Sequence, residues 1–148
     1  MGTRYQGSDR EVRALNAYIK LLRAAESVSS RVHARLNAPA LTSSQFGVLD
    51  ALYHLGPLSQ GELGRKILKS SGNITMVVDN LEKRGLVRRE RSRDDRRTNT
   101  VALTVAGRAL FRKILPGHVR AIADEMGALT GGEQDVLGKL CKKAGLRR

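Results

Sequence analysis

Between Ser70 and Leu103 the chain changes its apolar periodicity from helical to alternating, and that change constrains everything around it. Ile74, Val77, Val78 and Leu81 stand at i, i+3, i+4 and i+7, a spacing that lays one apolar stripe along a short helix. Ser70 or Ser71 can start this helix, because a hydroxyl accepts a hydrogen bond from the unpaired N–H groups of a first turn. Gly85, just after Lys83 and Arg84, can take the left-handed conformation that stops it. The face opposite the stripe carries Asn73, Thr75, Met76, Asn80 and Lys83. Four of these can hydrogen-bond base edges, and Met76 offers apolar contact. A helix with a core stripe behind and such a face in front suits the major groove of DNA.

Two short runs follow, Leu86–Arg91 and Thr98–Leu103, which pair as the strands of a hairpin. Val87, Val101 and Leu103 supply its apolar side, and the arginines between them are expected to face outward. The connecting turn, Arg93 to Asn99, is too polar to bury and is rich in turn-forming Asp and Asn. Arg93, Arg96 and Arg97 suit phosphates and a narrow, electronegative minor groove. Asp94 and Asp95 are expected to orient those arginines by ion pairing. By itself such a charge run reads as a solvated surface hairpin. Its position directly after the polar-faced helix favours a DNA-binding wing.

The chain has 148 residues, which makes one domain, 1–148, the default. With no Trp and 3% aromatic residues, its core must be built from Leu, Val, Ile and Ala, as in helical proteins. A net charge of +13, from 27 basic and 14 acidic residues, calls for an acidic partner, either nucleic acid or an anionic membrane. No apolar run approaches the ~20 residues that span a bilayer, and the start of the chain lacks the apolar core of a signal peptide. The expected location is the cytoplasm, with no membrane partner. The single cysteine, Cys141, excludes an internal disulfide and a cysteine-based zinc cage.

In chain order, a long helix begins at Asp9, with Val12, Leu15, Ile19 and Leu22 along one seam and Tyr18, Ala25 and Val32 beside it. That seam can pack on its own domain or on a second subunit. Asn37 to Ala40 break the helix. Thr42 and Gln45 form a capping box that opens a helix bearing Phe46, Val48, Leu49, Leu52 and Tyr53, ended by Gly56-Pro57. Ser59 and Glu62 form a second box, opening a short helix with Leu63, Ile67 and Leu68. Two short helices joined by a tight turn make a helix-turn-helix, and the hairpin makes it winged. Thr104 caps a further long helix, in which Pro116 is expected to cause a kink or break. Thr130 and Glu133 form a third box before a last helix with Val136, Leu137, Leu140 and Cys141. The fold class expected is mainly α with a small β-hairpin wing. A winged helix-turn-helix region, 42–103, is flanked by helical dimerisation regions, 9–36 and 105–145. Two terminal regions, each apolar on one face, would bury each other best across a homodimer.

Leu81-Glu82-Lys83-Arg84-Gly85-Leu86-Val87, then Asp94-Asp95-Arg96-Arg97, then Leu103-Thr104-Val105-Ala106-Gly107 resemble three successive motifs of the MarR family of bacterial transcription regulators. Those motifs are a "LEkkGLv" helix end, a "DxR/DRR" wing and an "LTxxG" helix start. Thr42 to Gly56 resembles the family's "LTxxQFxvLxxL" helix, and the likeness runs from Glu11 to Leu140. The resemblance implies a homodimer of winged lobes that places the second short helix in a major groove and the wing toward the flanking minor groove. Ser70, Ser71, Asn73 and Thr75 then match the start of the recognition helix, and Arg96 and Arg97 match the wing. Where many members carry an arginine or another polar residue, this chain has Met76, which shifts direct readout toward Asn73 and Thr75.

The function expected is that of a sequence-specific double-stranded DNA-binding regulator, most simply a repressor on a pseudo-palindromic site. A small-molecule effector bound between the dimer helices and the reading lobe would release it. Phe46, Tyr53 and His54 are candidate lining residues, although core packing and helix capping explain them equally well. The alternative is a basic architectural protein that binds nucleic acid without sequence preference. A third reading is an interaction module for an acidic protein or membrane partner; its membrane form needs a basic amphipathic helix, whereas the basic residues here concentrate on the hairpin. His33, His54 and His118 lie in separate segments without a partner histidine at helical spacing, so no metal site is expected. No cofactor or nucleophile motif is present, so an enzyme is not expected. Oxidant-sensing members of the family commonly carry their reactive cysteine near the N-terminus. Cys141, near the other end on an apolar helical face, is expected to be a buried structural residue.

Overall fold

The structure, a computed structural model, describes residues 2–36, 41–67, 71–91 and 99–146, apart from the side chains at 71 and 72. Its elements are α1 (Asp9–Ala34), α2 (Ser43–Leu55), β1 (Leu58–Ser59), α3 (Gln60–Lys66), α4 (Ser71–Lys83), β2 (Val87–Arg91), β3 (Asn99–Leu103), α5 (Val105–Met126) and α6 (Gly131–Gly145). The chain falls into two compact units. One comprises Met1–Leu36 with Gly117–Arg148, and the other Asn37–Pro116.

Local chemistry sets where the helices begin and end. The three expected capping boxes form at Thr42/Gln45, Ser59/Glu62 and Thr130/Glu133. A fourth, Ser8/Glu11, opens α1. Each satisfies two backbone N–H donors that a first turn would otherwise leave to water. Gly56 and Gly85 take positive φ values of 79° and 72° where α2 and α4 end. Pro116, expected to kink or break the last long helix, lies inside α5 without ending it.

In the Asn37–Pro116 unit, Val48, Leu49, Leu52, Leu63, Val101 and Phe111 are buried together with the α4 stripe of Ile74, Val78 and Leu81. The hairpin forms with Val87 opposite Leu103 and Arg89 opposite Val101. It gains a third strand that sequence periodicity does not indicate. The two-residue β1 pairs Leu58 with Val101 and Ser59 with Thr100, giving the order β1-β3-β2. Two residues are too few to show an alternation. With β3 in the middle, β2 is an edge strand on the side of α4.

In the other unit, Val32 and Ala121 are buried. Arg31 pairs with Glu125 at 2.6 Å and Arg35 with Asp124 at 2.7 Å, joining α1 to the second half of α5. Tyr18, Leu21 and Leu22 of α1, Val119 and Ile122 of α5, and Val136, Leu137 and Leu140 of α6 are all exposed. Cys141, expected to be buried, is exposed as well. The cause is the helix itself: α6 buries none of its residues within the chain, so its apolar stripe and the cysteine beside it both face solvent.

Candidate nucleic-acid interface

Helix α4 presents three rows of side chains, which follow from 3.6 residues per turn. Ile74, Val78 and Leu81 form the buried row, with Val77 half-buried at its edge. Asn73, Met76, Asn80 and Lys83 form an exposed row, in which Met76 is 62% exposed. Thr75, Asp79 and Glu82, at i, i+4 and i+7, form a third row toward the base of the hairpin.

That third row is held by Arg89. Strand alternation puts Arg89 on the same side of β2 as the buried Val87, so it does not face outward as expected of the hairpin arginines. Its Nη2 donates to Asp79 Oδ1 at 2.6 Å and its Nη1 to Glu82 Oε1 at 2.9 Å. Its Nε and Nη2 also donate to Gln60 Oε1, both at 3.2 Å. The other Glu82 oxygen accepts from the Arg89 backbone N–H at 3.2 Å, which satisfies an outward donor of the edge strand. Gln60 Nε2 in turn donates to Thr75 Oγ1 at 2.7 Å. Thr75 is therefore exposed and engaged at once. Arg88, one residue earlier, does point outward and pairs with Glu90.

A second junction fixes the base of the hairpin. The Thr104 hydroxyl donates to the Gly85 carbonyl at 2.6 Å and accepts from the Gly107 N–H at 3.0 Å. The Thr104 N–H donates to the Leu86 carbonyl at 3.2 Å. The stop of α4 and the start of α5 thus share one hydrogen-bonded knot, built from the Gly85-Leu86 and Leu103-Thr104-Val105-Ala106-Gly107 motifs.

Of the residues expected to meet DNA, Asn73, Thr75, Met76, Asn80 and Lys83 are exposed on α4. Ser71 begins α4. Ser70, Arg93, Asp94, Asp95, Arg96 and Arg97 lie outside the described residues. The candidate ligand residues gather around Phe111. Phe46 is buried with its ring centroid 5.3 Å from that of Phe111, and Tyr53 lies 4.9 Å and His54 6.1 Å from it. Arg108 sits 5.6 Å over the Tyr53 ring, and Arg112 Nε approaches the Tyr53 hydroxyl at 3.4 Å. Beside them a shallow cleft of about 380 Å3 is lined by Arg88, Leu103, Val105, Arg108 and Arg112. Among the described residues no cluster of three or more His, Cys, Asp and Glu could hold a metal ion, and no helix is long and apolar enough to cross a membrane.

Arg89, Asp79, Glu82 and Gln60 were not apparent as functional residues from the sequence. One signal was present: Val87 facing inward obliges Arg89 to do the same, and two carboxylates three residues apart on the adjoining helix supply its partners.

Residues 41–98 match the MarR family. The chain is 34% identical over 134 residues to the HTH-type transcriptional regulator MhqR of Bacillus subtilis (strain 168), covering 90% of this chain and 92% of that protein. Its fold superimposes with a TM-score of 0.80 on Bordetella bronchiseptica BpsR, whose DNA binding is regulated by 6-hydroxynicotinic acid. That match has 26% identity and covers 87% of this chain and 98% of BpsR. A MarR family regulator of Streptomyces coelicolor solved in complex with DNA superimposes with a TM-score of 0.83 at 24% identity, covering 98% of this chain and 93% of that one.

Proposed function

This chain belongs to the MarR family of DNA-binding transcription regulators, and we propose that it acts as a homodimeric repressor on a pseudo-palindromic operator. The observation that carries this reading is the division of labour on α4. One row anchors it in the core, one is held against the hairpin, and Asn73, Met76, Asn80 and Lys83 are left exposed together. Such a helix enters a major groove with its exposed row toward the base edges. Ser70, Ser71 and Thr75 contribute at its N-terminal end. Arg93, Arg96 and Arg97 of the wing follow the flanking minor groove and phosphates, oriented by Asp94 and Asp95. A second copy of the chain covers the exposed apolar residues of α1, α5 and α6 and brings two reading heads onto one duplex. The protein works on the chromosome, in the cytoplasm, as a single domain without catalytic activity.

Regulation by a small molecule is part of the reading, as BpsR is regulated by 6-hydroxynicotinic acid. The accessible rings of Tyr53 and His54, with Phe46 packed behind them and Arg108 and Arg112 beside Tyr53, suit an aromatic acid. Such an effector acts only through a difference in its affinity for the DNA-competent and DNA-incompetent arrangements.

The test is selection of bound sequences from random duplex DNA near physiological salt, followed by affinities for the winner and for scrambled DNA. A two-fold symmetric winner bound at least ~10³ times more tightly than scrambled DNA supports a dimeric sequence-specific regulator. Binding without an enriched sequence, collapsing as salt rises, would replace it with a basic architectural protein. Arg97→Ala is expected to weaken binding and flatten its salt dependence, and no change in either would take the wing off the DNA.

A further inference from the structure

We propose that Arg89 is a positioning residue for DNA recognition, a clasp that makes the recognition helix and the wing one body and screens two carboxylates beside the DNA-reading row. Its side chain is 22% exposed and it ties three elements together. From its own edge strand β2 it reaches α4, through its side chain to Asp79 and Glu82 and its backbone N–H to Glu82, and α3 through Gln60. A long side chain gives up substantial rotamer entropy to be held in this way.

Two consequences follow from the geometry. The first is mechanical. Among the described residues β2 has no neighbouring strand on its α4 side, so beyond the short link at Arg84 to Leu86, where the Leu86 N–H donates to the Leu81 carbonyl, it is held to α4 by Val87 packing and by the bonds of Arg89 to Asp79 and Glu82. Through Gln60 the same guanidinium reaches Thr75, one of the residues facing DNA, so it also fixes which way that hydroxyl turns. The second is electrostatic. Asp79 and Glu82 are about half exposed and lie one row away from Asn80 and Lys83. Left unpaired, both carboxylates would stand near approaching phosphates and repel them. Arg89 neutralises one charge and disperses the other, at a cost to no exposed cation.

This inference rests on the proposed DNA reading, and the experiment separates the two. The wild-type protein is first measured against its selected duplex and scrambled DNA. Absence of any preference there fails the functional reading itself. Arg89→Gln, Arg89→Lys and the triple variant Arg89→Gln, Asp79→Asn, Glu82→Gln are then compared by thermal unfolding, amide hydrogen exchange and both affinities. Arg89→Gln is expected to lose about tenfold or more on the selected duplex and less on scrambled DNA, so that the ratio falls. Exchange at Val87 to Arg91 accelerates relative to α4. The triple variant removes the repulsion and recovers scrambled-DNA affinity, but its ratio stays low because the wing is no longer clasped. Arg89→Lys keeps the charge without the planar fork and also fails to restore the ratio. A wild-type ratio in folded Arg89→Gln would overturn the proposal. A wild-type ratio in the triple variant would reduce Arg89 to a charge screen and overturn the positioning role. If Arg89→Gln does not fold, the triple variant and Arg89→Lys decide by the same ratio. Unchanged exchange at Val87 to Arg91 in every variant would show that no clasp exists.

Discussion

The Cα of Gly107 lies so close to the backbone of Leu86 that a Cβ added to it would stand 2.0 Å from the Leu86 carbonyl oxygen. The obstacle is backbone, held in place by the Thr104 N–H bond to the same carbonyl. Gly107→Ala must therefore push the first turn of α5 away from the end of α4. We expect a loss of about 1–3 kcal/mol, the usual range for forcing extra atoms into a packed site. Chemical denaturation measures it, and an unchanged midpoint would mean that the two segments separate at no cost.

The Thr104 hydroxyl is the other half of that junction. It donates to Gly85 and accepts from Gly107, a pair of bonds that valine, of the same shape, cannot make. Thr104→Val is expected to cost about 1 kcal/mol, as for other lost N-caps. Thr104→Ser should keep most of it. Equal stability of all three proteins in urea would show that the hydroxyl does nothing for the fold.

These junctions show what could be read from the residue string and what could not. Capping boxes are local, four residues long, and their chemistry does not depend on tertiary partners, so Thr42, Ser59 and Thr130 were legible. The stripe of Ile74, Val78 and Leu81 and the stop at Gly85 were legible for the same reason. The Leu81–Val87 and Leu103–Gly107 motifs could be matched by pattern, but the close approach of Gly107 to Leu86 is a contact across the hairpin. The charge of Arg89 points to solvent, whereas the carboxylates that hold it inward belong to a different element and cannot be read from the strand itself. Cys141 is exposed, not buried, because an apolar stripe says that something will cover it without saying whether that cover belongs to the same chain.

Asn73 begins the exposed row of α4, at the end of the helix that enters a groove first. Its amide can pair with an adenine through two bonds, worth about 1–3 kcal/mol of discrimination. Asn73→Ala should therefore change which base is preferred at one position of the selected site while leaving scrambled-DNA affinity nearly constant. Competition binding with singly substituted duplexes measures this. An equal loss on every sequence would make Asn73 a phosphate contact.

At the start of α6 the Glu133 carboxylate accepts from the Thr130 N–H at 2.9 Å, and the Glu133 N–H donates to the Thr130 hydroxyl at 3.2 Å. The Thr130 backbone bond first, and its side chain second, hold the Glu133 carboxyl below its ordinary value of 4.5. A lowered pKa means that the folded state binds the proton less readily than the unfolded one. The contribution to stability is whole above the ordinary value and disappears as pH falls through the lowered one. We expect the protection of the first-turn amides of α6 against exchange, taken relative to their intrinsic rates at each pH, to fall only in that acid range. NMR titration of the Glu133 carboxyl should show its midpoint moving upward in Thr130→Ala. Alanine keeps the backbone N–H, the larger cause, so the move is partial, and a midpoint indifferent to the substitution would remove only the Thr130 side chain as a cause.

Leu22 on α1 and Leu140 on α6 are 49% and 59% exposed in the single chain, and both belong to the Met1–Leu36 and Gly117–Arg148 unit. Apolar side chains of this size gain by burial at roughly 25 cal/mol per Å2, so a second copy of the chain that covers them is stabilised by that contact. A carboxylate at either position would have to be buried unpaired across the same contact, which costs far more than the leucine gained. Leu22→Glu and Leu140→Glu are therefore expected to shift sedimentation from dimer toward monomer while leaving the helical circular dichroism intact. Affinity for a two-half-site duplex should fall steeply, and affinity for an isolated half-site should change little, because only the linkage between reading heads is lost. Unaltered sedimentation in both variants would place the subunit contact on some other face.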